Sequence, residues 1–361
     1  MTYGRIIRLS LLIALIFMAL GIFVVSGWHD RIEMYYSNGL YPPLARTLRF
    51  LLGGIPFSLG DVLYAFVLLY ILWELALWVR RLVTPGFSRA QKLRPLLLAS
   101  IAVLVLYVYF YLFWGLNYYR LGIEHQLGLK NQRPPAAALT SLTAEMLENV
   151  NRTKAVCLGR QDTVMSQERL LESSHAAYRK LERRFPFLRH RQFSVKPSLF
   201  GKMGNYVGFQ GYYNPFTGEA QINMRVPNFV LPFVTCHEMA HQLGYASESE
   251  ANFVGFLAAS HSTDTLMQYS AYFDMFLYAW NKLRQVDSAA AAALSQQLHP
   301  GAKRDLAYLH AFNRKYRSVL QDLTTTFYDY YLRQNRQRKG IDSYGEVTGW
   351  LIAFREKYGR F

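Results

Sequence analysis

The chain has 361 residues, of which 52% are hydrophobic and 16% aromatic but only 18% charged, below the roughly 25% charged of an ordinary soluble domain. This balance excludes a disordered or acidic-tail protein and indicates that part of the chain faces lipid. Forty Lys and Arg against 24 Asp and Glu give a formal charge of +16, yet no RNA-binding or helix-turn-helix signature accompanies it, so a surface facing anionic headgroups explains the excess better than nucleic acid.

Leu9 to Trp28 is an uncharged stretch of 20 residues, the length needed to cross a hydrocarbon core of roughly 30 Å. Two further spans are expected at about 62–79 and 96–116, the second of the three containing a single acid, Glu74, near the interface and within reach of Arg80 or Arg81. The loop between spans two and three carries Arg80, Arg81, Arg89, Lys92 and Arg94 without an acid, whereas the loop between spans one and two balances Arg31, Arg46 and Arg49 with Asp30, Glu33 and Asp61. The positive-inside rule then puts the N-terminus in the cytoplasm and everything after the third span outside it. The expected division is a membrane domain over 1–120, a Gly, Pro and Ala linker over 121–139, and an extracytoplasmic domain over 140–361.

Within that domain, three- and four-residue apolar spacing predicts helices over 140–156 and 165–184. From Phe193 to Met224 the composition shifts to Gly, Tyr, Val and Asn, with Thr217-Gly218 at the centre of a predicted hairpin in a small twisted sheet. Beyond Phe229 nearly everything reads as helix, including one long helix over about 304–338. Cys157 and Cys236 have no CxxC partner; two buried thiols is the simpler reading, with a single bridge left open.

Residues 237–241 read His-Glu-Met-Ala-His. Residues four apart share a helical face, so His237 and His241 can reach one Zn²⁺ from adjacent turns, and Glu238 falls beside the water that a catalytic zinc activates. A catalytic zinc needs a third protein ligand. Gly244 can end the first helix in a left-handed turn, and Ser247 with Glu250 forms a Ser-x-x-Glu capping box for a second. Glu248 is then free to reach back to the metal, and Asn252, one turn on, can hydrogen-bond a ligand histidine. The competing assignment makes Glu250 the ligand. His261 reads as a helix C-terminal residue, and His125, His175, His190, His299 and His310 show no ligand spacing.

The run HEMAHQLGYASESEANFVGF, with GYYNPFTGEAQIN before it, WGLNYYR at the end of span three, IPFSLGD before span two and SYGEV near the C-terminus, resembles an uncharacterised bacterial family of multi-pass membrane proteins with a zincin-like domain. The segment Glu248-x-x-Ala251-Asn252 is also similar to the Glu-x-x-Ala-Asp element of gluzincin membrane metallopeptidases, although the gap from His241 is shorter here. That similarity implies Glu248 as third ligand and Asn252 in the place of the Asp.

The expected fold is therefore mainly α: three N-terminal transmembrane helices, then a zincin-like α+β extracytoplasmic domain with a small β-sheet and a helical C-terminal part. The expected function is a membrane-anchored zinc metallopeptidase acting on a peptide or protein, with His237, His241 and Glu248 on the metal and Glu238 as general base. The strand from Glu219 to Met224 is the candidate edge for an extended substrate, and Tyr213, Tyr245 and Tyr344 are the candidates for stabilising an oxyanion. The alternatives are a non-catalytic, zinc-stabilised scaffold or receptor, and a transporter component.

Overall fold

A computed structural model of the chain describes residues 3–130, 134–337, 346–359 and 361. Helix α1 (Tyr3–Ser26) is followed by a single turn, α2 (His29–Arg31), a nine-residue π-helix (Ile32–Leu40) and α3 (Tyr41–Leu52). Helices α4 (Leu59–Val83) and α5 (Arg89–Phe113) complete the N-terminal part. Ser58 caps α4 by accepting from the Asp61 N–H, and Ser88 with Gln91 forms a capping box on α5. Ile6–Ser26, Leu59–Val83 and Gln91–Phe113 are long and apolar enough to cross a bilayer, with few residues buried inside the protein. They match the three expected spans within a few residues, and α5 packs against both α1 and α4. Glu74 makes no ion pair with Arg80 or Arg81: among the described residues it has none.

The remainder contains α6 (Gly122–Leu127), α7 (Ala136–Gly159), α8 (Gln167–Arg184), β1 (Val195–Pro197), α9 (Gly201–Val207), β2 (Gly211–Asn214), β3 (Glu219–Ile222), α10 (Leu231–Gln242), α11 (Glu248–Ser260), α12 (Thr265–Val286), α13 (Ser288–Gln296), α14 (Pro300–Tyr316), α15 (Val319–Gln334) and α16 (Val347–Tyr358). Helix α11 is buried along its whole length, which explains its lack of a polar face. Around it, α7, α8, α10, α12 and α16 close a core built on residues such as Met239, Phe253, Phe256, Phe273 and Tyr178. Cys157 and Cys236 are both free and buried.

The sheet has the order β1-β3-β2, with β3 parallel to β1 (Val195 opposite Ala220) and antiparallel to β2 (Tyr213 opposite Ala220). The hairpin between β2 and β3 turns at Thr217-Gly218 as the sequence predicts, with Gly218 at φ +70° and the Asn214 side chain accepting from the Phe216 and Thr217 N–H groups. One expectation fails here. Strand β3 is the central strand, its backbone paired on both sides, so it offers no free edge to a substrate; β2 does.

The helix expected over 304–338 is broken. Ser318 adopts an extended conformation, accepts from the Gln321 N–H and donates to the Tyr206 carbonyl. A residue whose side chain offers the backbone such alternatives ends one helix and starts the next, so that α14 and α15 are separate helices. The segment 121–139, expected as linker, holds α6, whose Ile123 and Leu127 are buried in the main core.

Buried polar groups join the first 120 residues to the rest. Glu33 pairs with Arg120 at 2.9 Å and accepts from the Leu121 and Gly122 N–H groups. Burial alone would raise the Glu33 carboxyl, but the Arg120 guanidinium and these N–H donors outweigh it and hold it below the usual range. Breaking such a pair from one side costs about 3–5 kcal/mol, because a charge is left buried alone. Asp61 accepts from the Leu199 N–H and the Tyr212 hydroxyl. Glu219 accepts from the Leu59 and Gly60 N–H groups while pairing with Lys196 at 2.7 Å.

Candidate metal centre

Helix α10 presents His237, Glu238 and His241, whose ligand atoms all lie within 4.8 Å of one another. It ends at Gln242 because Gly244 turns left-handed at φ +87°, where a Cβ would meet the Tyr41 ring at 2.9 Å. The turn reverses the chain into α11, and Glu248 on its first turn points back. Its Oε2 stands 3.1 Å from His237 Nε2 and 3.6 Å from His241 Nε2, and the two Nε2 atoms are 3.1 Å apart. A smaller detail makes this approach possible: a Cβ on Gly255 would sit 2.9 Å from both N and Cα of His237. Only glycine lets α11 cross α10 so closely.

Such a set of donors can hold a metal ion. A tetrahedral site with bonds of about 2.0–2.2 Å puts its ligand atoms roughly 3.3 Å apart, and the three observed separations bracket that value. The Nδ1 of His241 is 2.7 Å from the Tyr245 carbonyl; donation there leaves Nε2 with its lone pair toward the centre. Glu248 is further fixed by the Tyr328 hydroxyl, which donates to Oε1.

The charges follow from this packing. Burial raises Glu238 to about 7, with Glu248 adding to the effect and the two imidazoles opposing it. Burial works against a charged His241, but the Glu248 carboxylate overrides it and lifts His241 to about 9. Burial would likewise raise Glu248, but His241 and His237 hold it well below the usual carboxylate range. The cluster is thus a compact network in which the charged Glu248 carboxylate favours the protonated form of His241. Glu238 Oε2 is buried without a partner among the described residues, and its Oε1 uses the space left by Gly211, where a Cβ would come within 2.8 Å.

The cluster lines a cavity of about 1110 Å³. Its walls come from distant parts of the chain: Tyr64 and Phe110 on α4 and α5, Trp114, Tyr213 on β2, Asp274 and Tyr278 on α12, and Phe327, Tyr328 and Tyr331 on α15. Trp114 Nε1 also donates to the His241 carbonyl at 3.4 Å.

Several expected roles change. Ser247 occupies the N-terminal cap position of α11 but makes no capping bond, and Glu250 accepts instead from the Ile123 N–H at 2.7 Å. Glu250 is engaged with the α6 segment because Gly122, at φ +77°, leaves it the room. Asn252 does not orient a histidine; its Nδ2 donates to the Tyr278 hydroxyl at 3.4 Å, and the Tyr245 carbonyl serves His241. The Tyr245 hydroxyl donates to Gln126, turned away from the cavity under the Arg120 guanidinium, so it is no oxyanion donor. Tyr213 does line the cavity, with its hydroxyl 3.3 Å from that of Tyr41. Tyr344 lies outside the described residues. His261 ends α11, 2.9 Å from Arg184.

Tyr328, Asp274 and Trp114 were not singled out for the site by the sequence. Tyr328 falls in what the sequence reads as one uninterrupted helix over 304–338, whereas the break at Ser318 makes it part of a separate helix that lines the cavity.

Fold and site together define a mainly helical chain with three bilayer-length apolar helices and a His-Glu-His cluster able to hold a metal. The chain belongs to the family DUF3810, described as a protein of unknown function, which it matches over residues 36–352. That stretch includes the second and third apolar helices, the sheet and the whole cluster. No curated protein and no solved structure matches it.

Proposed function

We propose that this protein is a membrane-anchored zinc metallopeptidase of a bacterial cytoplasmic membrane, hydrolysing peptide bonds on the outer side. The observation that carries the reading is the convergence of His237, His241 and Glu248 within 3.1–3.6 Å beside Glu238, whose Oε2 has no partner among the described residues, on a large cavity wall. Two nitrogens and one carboxylate oxygen suit Zn²⁺, which when bound would supply Lewis acidity for hydrolysis. The positive-inside distribution of Arg and Lys supports the outward orientation.

The protein's own groups divide the remaining work. Glu238 takes a proton from the attacking water and returns it to the leaving amine as the C–N bond breaks and the new C–O bond forms. A carboxyl held near neutrality by burial is suited to both steps. The free edge of β2 can pair with an extended peptide, and Tyr213 on it is the candidate for an oxyanion donor among the described residues. The scaffold alternative gives Glu238 no task, since a structural site needs no general base.

Elemental analysis of the detergent-purified protein tests the site. About one zinc per chain is expected, lost in His237→Ala and Glu248→Ala but retained in Glu250→Ala. Cleavage of a fluorogenic peptide library by the zinc-loaded protein, absent in Glu238→Gln, tests the activity. A folded wild type that takes up no zinc when the metal is supplied would overturn the reading.

A further inference from the structure

A second cavity, of about 330 Å³, lies between the π-helix with α3, the loop around Arg189–Arg191, and the C-terminal end of α10. Five arginines line it, Arg46, Arg49, Arg120, Arg189 and Arg191, and no carboxylate does. Two of them are neutralised from outside the lining: Arg120 by Glu33 and Arg189 by Glu182, each at 2.9 Å. Arg46, Arg49 and Arg191 have no carboxylate within ion-pair distance among the described residues.

Arg49 is the telling member. It is only 5% exposed, and its partners are the carbonyls of Gln192 at 2.6 Å, Gln242 at 3.1 Å and Arg191 at 3.4 Å. Carbonyl oxygens orient a guanidinium without cancelling its charge, and a charge buried without a counterion is unfavourable. Three of its five N–H groups are used, leaving two for a ligand. Exposed Arg46, one helical turn before Arg49, and exposed Arg191 flank the mouth.

We infer that this cavity is an anion site that takes a phosphate group, held by Arg46, Arg49 and Arg191. Planar guanidinium forks match phosphate oxygens in pairs, and three of them around one cavity suit an anion with several oxygens better than a single carboxylate. The phosphate belongs to a phospholipid headgroup or to a soluble phosphate compound. Phe50 and Leu51, 68% and 65% exposed on the same helix, put lipid within reach of the mouth if the three apolar helices cross a bilayer. Occupancy also bears on the metal cluster, since Arg49 and Tyr41 both donate to the Gln242 carbonyl at the end of α10.

The full chain in non-ionic detergent, titrated with inorganic phosphate against chloride at constant ionic strength, is expected to show a saturable rise in thermal midpoint. Arg49→Ala risks misfolding because it also removes three internal hydrogen bonds. The double substitution Arg46→Ala with Arg191→Ala, at exposed positions, is therefore the decisive variant, and it should weaken the apparent phosphate affinity about tenfold or more. Native mass spectrometry after extraction from phosphatidylglycerol nanodiscs separates the two sources. One phospholipid retained per wild-type chain and lost from the double variant assigns the headgroup; phosphate stabilisation without a retained lipid assigns a soluble ligand. Equal responses of wild type and double variant in both experiments would overturn the proposal and leave Arg49 as a helix-end cap.

Discussion

Tyr328 and Glu248 meet across the cavity, the phenol donating to one carboxylate oxygen while the other faces His237 at 3.1 Å. Residues 80 apart in sequence thus share the orientation of one side chain of the candidate metal centre. Partners of this kind commonly tune metal affinity by 10- to 100-fold. Tyr328→Phe is expected to weaken zinc binding by about that factor, read by competition with a chelator, and to cost the fold about 1–3 kcal/mol for the lost hydrogen bond to a buried carboxylate.

The crossing of α10 and α11 depends on Gly255. A methyl group there would press on the His237 backbone at 2.9 Å, and backbone cannot yield as a flexible side chain does. Gly255→Ala should destabilise the protein by about 1–3 kcal/mol and lower metal affinity by moving Glu248 away from His237. Denaturant unfolding and zinc titration measure the two effects; a variant with unchanged zinc affinity would show that the crossing does not set the ligand distance.

For Glu238 the expected signature is a split between binding and turnover. Glu238→Gln keeps the zinc and loses about 100-fold to 10,000-fold in peptide hydrolysis. Loss of zinc together with activity would instead mean that Glu238 is needed to hold the metal.

Asp274, half-buried on the cavity wall, has no hydrogen-bonding or ion-pair partner among the described residues, and burial raises its carboxyl to about 7. A cationic group entering the cavity would find its counterion there. Asp274→Asn is expected to reduce kcat/KM for Lys- or Arg-containing peptides by about tenfold relative to neutral ones, as read from cleavage of matched peptide pairs.

His175 gives a pH dependence remote from the cluster. It stacks on Phe193 at 3.8 Å, and burial, aided by Arg179, lowers its pKa from 6.5 to about 4. The folded state therefore favours the neutral ring. Above pH 6.5 both states are neutral and the stability is fully present. Between 6.5 and about 4 the unfolded chain takes up a proton that the folded one refuses, so stability falls as pH falls. Urea unfolding across that range should show this slope, and His175→Gln should reduce it by one proton's share.

Much of the architecture was legible because its signals are local. Twenty uncharged apolar residues can hardly be anything but a bilayer-length helix, and Thr217-Gly218 between strand-forming residues turns whatever surrounds it. The His237-Glu238-His241 spacing places three functional groups together on any helix. Glu248 needed one more step, but Gly244 and Ser247 marked where the first helix stops and the second begins. The failures came where a side chain's partner lies far along the chain. Glu250 has the spacing of a capping residue yet bonds to Ile123, and Asn252 has that of a histidine's partner yet reaches Tyr278. The edge role expected for Glu219–Met224 failed because pairing of its strand with Val195–Pro197 is parallel and non-local, with no turn in the sequence to announce it.

The sequence by itself thus determined the three apolar helices, the hairpin and the spacing of the His-Glu-His motif, all consequences of helical and strand periodicity over a few residues. Only the tertiary structure decided which acid turns to the histidines, which strand keeps a free edge, and that Arg49 and Tyr41, 193 and 201 residues from Gln242, secure the end of its helix. These outcomes depend on burial, because a buried charge or N–H group must find its partner wherever packing brings one, however far apart in the sequence.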